Sequence, residues 1–151
     1  MSTIKQRIEQ DLKTALLAGD KELVSNLKTL KSAILYEEVA QNLRDSGLSD
    51  EATTKVLQKE AKKRQDSADL YEKGGNNERR DQELAEKSII QTYLPAEMTD
   101  DELDKLVTTT IASDGPLTPQ NMGIIIGKVK QATAGKADGG RIAMAVKKRL
   151  A

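Results

Sequence analysis

The stretch GKVKQATAGKADGGR, from Gly127 to Arg141, sets glycines and lysines around a single acid, Asp138. Glycine lets a ligand come close to backbone N–H groups and the cations neutralise it, so the chemistry this composition suits is the holding of phosphate. A Walker A loop would need two glycines separated by four residues, then Lys and Ser or Thr. GIIIGKVK, Gly123 to Lys130, misses that pattern twice: its glycines are separated by three residues, and Val129 stands where the magnesium-binding hydroxyl would be. No buried strand precedes it. Gly123 and Gly127 instead lie one helical turn apart, and the expectation is that they let a neighbouring helix approach closely.

GKADGG reads as a helix-to-helix turn. Gly135, Gly139 and Gly140 cluster around Asp138, a strong N-cap whose carboxylate can accept from the following backbone N–H groups. The turn also presents the N-terminus of the last helix, flanked by Lys136 and Arg141, and such ends bind phosphate. A structural turn and a phosphate contact are both open at this backbone. Lys128, Lys130, Lys136, Arg141, Lys147, Lys148 and Arg149 could form one basic face. A second set, Lys59, Lys62, Lys63 and Arg64, is partly neutralised by Glu60, Asp66 and Asp69.

The elements that position these residues are helical throughout. Ile4, Ile8, Leu12 and Leu16 step by four, Thr3 and Gln6 have capping-box spacing, and Gly19 stands where a helix would stop. A second helix places Leu23, Leu27, Leu30 and Ile34 on one stripe and Leu35, Val39 and Leu43 on an adjoining one. A third begins after Ser49 and carries Leu57, Ala61, Arg64, Ala68 and Tyr71; a fourth, from about Glu78 to Leu94, turns Ala85, Ile89, Ile90 and Tyr93 inward. Pro95 stops it. Beyond it, Thr99 and Glu102 form a capping box ahead of Leu103, Leu106, Val107 and Ile111. Thr118 as cap and Pro119 at the first position open a helix with Met122, Ile125, Ile126 and Val129, and a last helix takes Ile142, Val146 and Leu150. The expectation is an all-α chain with an N-terminal part of about four helices over 1–95 and a three-helix C-terminal tail module over 96–151.

Composition narrows the function. The chain has 151 residues, no Cys, no His, no Phe or Trp, and three Tyr. Disulfides, thiolate nucleophiles, imidazole bases and nearly all zinc sites drop out, so no catalytic residue, metal or cofactor is expected. Neither a secretory apolar run nor a stretch long enough to span a membrane occurs, which points to the cytoplasm. Formal net charge is zero, yet the charge is segregated: 16 basic and 17 acidic residues up to Pro95, one and six from Ala96 to Gly127, seven and one from Lys128 onward. Asp100, Asp101, Glu102 and Asp104 crowd the first turn of a helix, where they complement its dipole. With few aromatics for base stacking, any RNA contact should go to phosphate, ribose and overall shape.

EAKKRQDSADLYEKGG, ELAEKSIIQTYLP and MGIIIGKVKQATAGKADGGRIAMAVKKRL together resemble the GatB/YqeY family in its free-standing, YqeY-like form, over almost the whole chain. In that family the same region forms the helical tail of the B subunit of the glutamyl-tRNA(Gln) or aspartyl-tRNA(Asn) amidotransferase, which contacts the outer part of the tRNA. The resemblance therefore implies tRNA binding. The carbon–nitrogen ligase activity with glutamine as amido-N-donor belongs to the multi-subunit enzyme, whose ATP-binding portion is a separate preceding domain. Carried over by position, Gly123, Gly127, Gly135, Asp138 and Gly139 match the tail signature, and Lys128, Lys136 and Arg141 are the implied phosphate contacts, with Lys147, Lys148 and Arg149 beside them. An aminoacyl-tRNA synthetase or an amidotransferase subunit is the alternative partner, reached through a helical protein-interaction surface.

Overall fold

The computed structural model describes residues 2–150. Its elements are all helical: α1 (Ile4–Ala18), α2 (Lys21–Ala40), α3 (Asp50–Lys73), α4 (Asn77–Gln91), α5 (Asp100–Asp114), α6 (Met122–Thr133) and α7 (Gly139–Lys147). They group into two compact units, Met1–Leu94 and Pro95–Ala151. No helix among the described residues is long and apolar enough to cross a membrane.

In the N-terminal unit α1 packs along α2 and α3 along α4, and the two hairpins meet mainly through α2 and α3. Local chemistry sets the joints. Gly19, at a φ of 72°, closes α1 in the left-handed region that a side chain resists, and the Asp20 carboxylate at once caps α2 by accepting from Leu23 N–H at 3.1 Å. Ser49 and Asn76 cap α3 and α4 in the same way. The core joins Ile4, Ile8, Leu12 and Ala15 of α1 to Leu27, Leu30 and Ile34 of α2, Leu57 and Ala61 of α3, and Ile90 and Tyr93.

Four expectations are corrected here. Leu16 is 54% exposed and Ala15 takes its place in the core. Each step of four overshoots the 3.6-residue turn by about 40°, so three steps from Ile4 carry Leu16 off the stripe. On α2 the adjoining stripe is not buried either: Leu35 and Val39 are 44% and 54% exposed, whereas Glu38 is fully enclosed. Both Glu38 carboxylate oxygens accept from Lys5 Nζ, at 3.0 and 3.1 Å, which gives the buried charge its partner. Ala85 faces solvent. The α-helical part of α4 ends at Gln91, and Tyr93 and Leu94 continue it as a tighter turn, with N–H groups donating three residues back to Ile90 and Gln91.

Tyr93 then locks the end of the unit. Its hydroxyl donates a short hydrogen bond to Asp11 Oδ2, and the Arg7 guanidinium lies 5.4 Å from its ring centroid. Burial, reinforced by the Asp11 carboxylate, pushes the phenol well above its ordinary range, so it stays a donor.

The C-terminal unit is a three-helix cluster around Leu103, Val107, Ile125, Val129, Ala137, Ile142, Ala145 and Val146. Thr99 and Glu102 form the capping box of α5, and Met98 packs on the cluster beside it. The following helix starts later than its sequence suggests. Thr118 and Asn121 bond reciprocally across a turn, Thr118 N–H to Asn121 Oδ1 at 2.7 Å and Asn121 N–H to Thr118 Oγ1 at 3.3 Å, and α6 begins only at Met122. Thr118 thus caps a tight turn over 119–121, as its spacing suggests, and the α-helical bonding takes over from that turn at Met122. Leu150 lies past the end of α7, and Ala145 fills the core alongside Val146.

The expected close approach at Gly123 and Gly127 is also overturned. Both are exposed, and a Cβ built on either, or on Gly139, meets nothing within 4 Å. The helix packs through Ile125 and Val129, and its glycines point the other way.

Two outcomes follow for stability. Glu38→Ala should lower it by roughly 1 to 3 kcal/mol in urea unfolding, through the void left at an enclosed position and the loss of the Lys5 pair, whereas the paired replacement Lys5→Met with Glu38→Leu should recover most of the loss. Gly127→Ala should raise stability by up to about 1 kcal/mol, because alanine favours the helix and the added methyl has room; a lower unfolding midpoint would contradict the open geometry.

Candidate functional site

The cations singled out in the sequence fall on the C-terminal unit, on α6, on the turn that follows it and on α7. The turn is built by its backbone. Ala134 and Gly135 take φ values of 49° and 82°, reversing the chain, and Lys136 carbonyl accepts from Met98 N–H at 2.8 Å, which ties the turn to the approach of α5. Asp138 caps α7 by accepting from Arg141 N–H at 2.9 Å. Its carboxylate lies 3.1 Å from where a Cβ on Gly140 would stand, so a side chain there would crowd the cap.

Of the seven, Lys130 is exposed on α6, and the six that the resemblance implies as contacts divide into two groups. Lys136, Lys147 and Lys148 are exposed and project from the turn and from the end of α7; Lys128 and Arg149 are exposed as well, and Arg141 is half-buried. Lys128, Arg141 and Arg149 each reach α5 or the residues leading into it. Lys128 Nζ lies 2.8 Å from Asp114 Oδ2. Arg141 Nη2 donates to Met98 carbonyl at 2.8 Å and to Asp100 Oδ1 at 2.9 Å, with 29% of its side chain exposed. Arg149 Nη2 donates to Asp104 carbonyl at 3.1 Å. Arg141 is thus a strap that fastens the start of α7 to the start of α5.

These contacts also fix spacing. Asp100 and Asp114 are the first and last residues of α5, fourteen steps apart, which is about 21 Å along the axis at 1.5 Å per residue. Lys128 is anchored at one end of that rod and Arg141 at the other, so no single phosphate can touch both.

Three of the four cations in the second basic set lie against acids. Lys62 lies 3.6 Å from Asp66 and Lys63 donates to Glu60 at 3.1 Å on the same helix. Arg64 Nε sits 3.0 Å from Glu86 Oε2, an ion-pair distance although the N–H is not aligned for a hydrogen bond. Burial, with Glu83 nearby, holds the Glu86 carboxyl above its ordinary range against the opposing pull of Arg64. Such i,i+3 and i,i+4 pairs leave a helix surface close to neutral.

Sequence reading missed the acids that hold the cations. In the sequence Asp100 fits the α5 dipole alone, and nothing local pairs Asp114 or the Asp104 carbonyl with a distant cation. The available signal was slight: Asp114 ends its helix, where the dipole disfavours a carboxylate.

A family model described as Yqey-like protein matches residues 5–150. No curated protein matches the chain. The family match runs through both units, from the first turn of α1 to the residues after α7, and agrees with the resemblance carried by the YLP, MGIIIGKV and GKADG elements. The chain therefore belongs to the YqeY-like protein family.

Proposed function

We propose that this protein is a cytoplasmic tRNA-binding helical module, related to the tail of the tRNA-dependent amidotransferase and acting in tRNA or aminoacyl-tRNA metabolism without an active site of its own. The observation that carries the reading is the segregation of charge: seven basic residues against one acid after Gly127, with Lys136, Lys147 and Lys148 exposed on a compact unit. Exposed lysines on a neutral protein give local, salt-screened attraction to phosphate. The bare face of α6 at Gly123 and Gly127 supports the same reading, since a sugar-phosphate backbone can come close to a helix that carries no side chains there. Participation in glutamine-dependent amide transfer would then be that of an accessory part, bringing tRNA to a catalytic subunit.

A second reading is a protein-interaction scaffold. Leu35, Tyr36 and Val39 give α2 an apolar face that is 44%, 77% and 54% exposed, and a synthetase or amidotransferase subunit could cover it.

Titrating labelled tRNA with the purified chain over a range of salt concentrations separates the two. The affinity should fall steeply with salt, and the triple change Lys136→Ala, Lys147→Ala, Lys148→Ala should lower the slope of log K against log salt by about 2 to 3 while leaving the helical signal intact. Salt-insensitive binding, or none at micromolar protein, would sink the RNA reading. Loss of a crosslinked protein partner in Leu35→Glu with Val39→Glu would favour the scaffold.

A further inference from the structure

We infer that Asp114 is a built-in competitor of RNA phosphate for Lys128, and so sets how tightly the C-terminal unit holds its ligand. The inference rests on the RNA reading above. The position of Asp114 is the first ground. It ends α5, where the negative pole of the helix repels a carboxylate, so helix stabilisation does not account for it as it does for Asp100, Asp101 and Glu102 at the other end.

The geometry of the pair is the second. Asp114 Oδ2 stands 2.8 Å from Lys128 Nζ; the aspartate side chain is 23% exposed and the lysine 52%. The acid is thus drawn back against the unit while the ammonium keeps an open side. An ammonium has three N–H donors, and Asp114 occupies part of that capacity. A phosphate that arrives at Lys128 meets a nearly neutral pair instead of a free cation, and must also come near the aspartate charge. The third ground is access. Lys128 lies on the exposed side of α6, and half of its side chain is open to solvent.

The pair at the other end of α5 does not share these properties. The Asp100 side chain is 91% exposed at a helix N-terminus that favours it, and Arg141 also donates to Met98 carbonyl, which makes that contact part of the fold. The competitor role belongs to Asp114 alone.

Fluorescence anisotropy of a labelled tRNA with the full chain tests the inference, using D114N, D114S, K128A, the D114N/K128A double variant, and D101N as a charge-matched change on the same helix. Both Asp114 variants should bind about two- to fivefold tighter than wild type, the range expected for release of an exposed ion pair. The gain should vanish in the K128A background and be smaller in D101N. Unchanged or weaker binding by both folded Asp114 variants, or an equal gain without Lys128, overturns the inference. Binding by wild type without that gain sinks this inference and leaves the RNA reading standing; no binding by wild type or by either Asp114 variant sinks both.

Discussion

A chain without Phe or Trp has to hold its helices together with thin aliphatic side chains, and the rest of this structure answers that constraint. Aromatic rings bury large areas each, whereas Ile, Leu, Val and Ala must be numerous and close. The N-terminal core is built that way, with Ile8, Leu27, Ile34 and Leu57 fully enclosed and Ala15 and Ala61 letting helices approach. Helix ends then matter more, because each exposes N–H groups that an aliphatic core cannot satisfy. Thr3, Asp20, Ser49, Asn76, Thr99 and Asp138 each accept from a backbone N–H in the first turn that follows. The one buried aromatic, Tyr93, is anchored through its hydroxyl to Asp11.

The same economy governs charge. In the N-terminal unit a fully buried Glu38 is matched by one lysine, and Arg64 lies against Glu86. In the C-terminal unit the acids of α5 have two duties. Those at its start complement the dipole, and Asp100 also receives Arg141; Asp114 at its end has no dipole to favour it and faces Lys128. A neutral protein can therefore carry a basic tail in which some cations serve the fold and others stay available. Arg141 and Arg149 are of the first kind, Lys136, Lys147 and Lys148 of the second, and Lys128 stands between them.

The glycines follow a similar division. Gly135 is needed by its backbone, at a φ of 82°, and Gly140 is crowded by the capping carboxylate. Gly123 and Gly127 answer to neither need, and glycine weakens the helix they sit in. Their place on an open face beside Lys128 turns attention from packing inside the unit to what comes up against it.

The sequence by itself determined the helices and most of the caps that start them. Caps, stops and apolar spacing act between residues within about one turn, so Thr3 with Gln6, Gly19, Ser49, Thr99 with Glu102, and Asp138 could all be read directly. It also determined the segregation of charge and carried the family signature. What it left open were choices between near-equivalent faces and the identities of distant partners. Strict 3.6-residue periodicity already sets Ala15 before Leu16, but it could not predict that a carboxylate, Glu38, would be buried in preference to Val39, because its partner is Lys5, 33 residues away. Nor could it distinguish a free arginine from the strap that Arg141 forms across 43 residues to Met98. Only tertiary structure decides such pairs, since burial and ion pairing depend on which surfaces meet after the helices have formed.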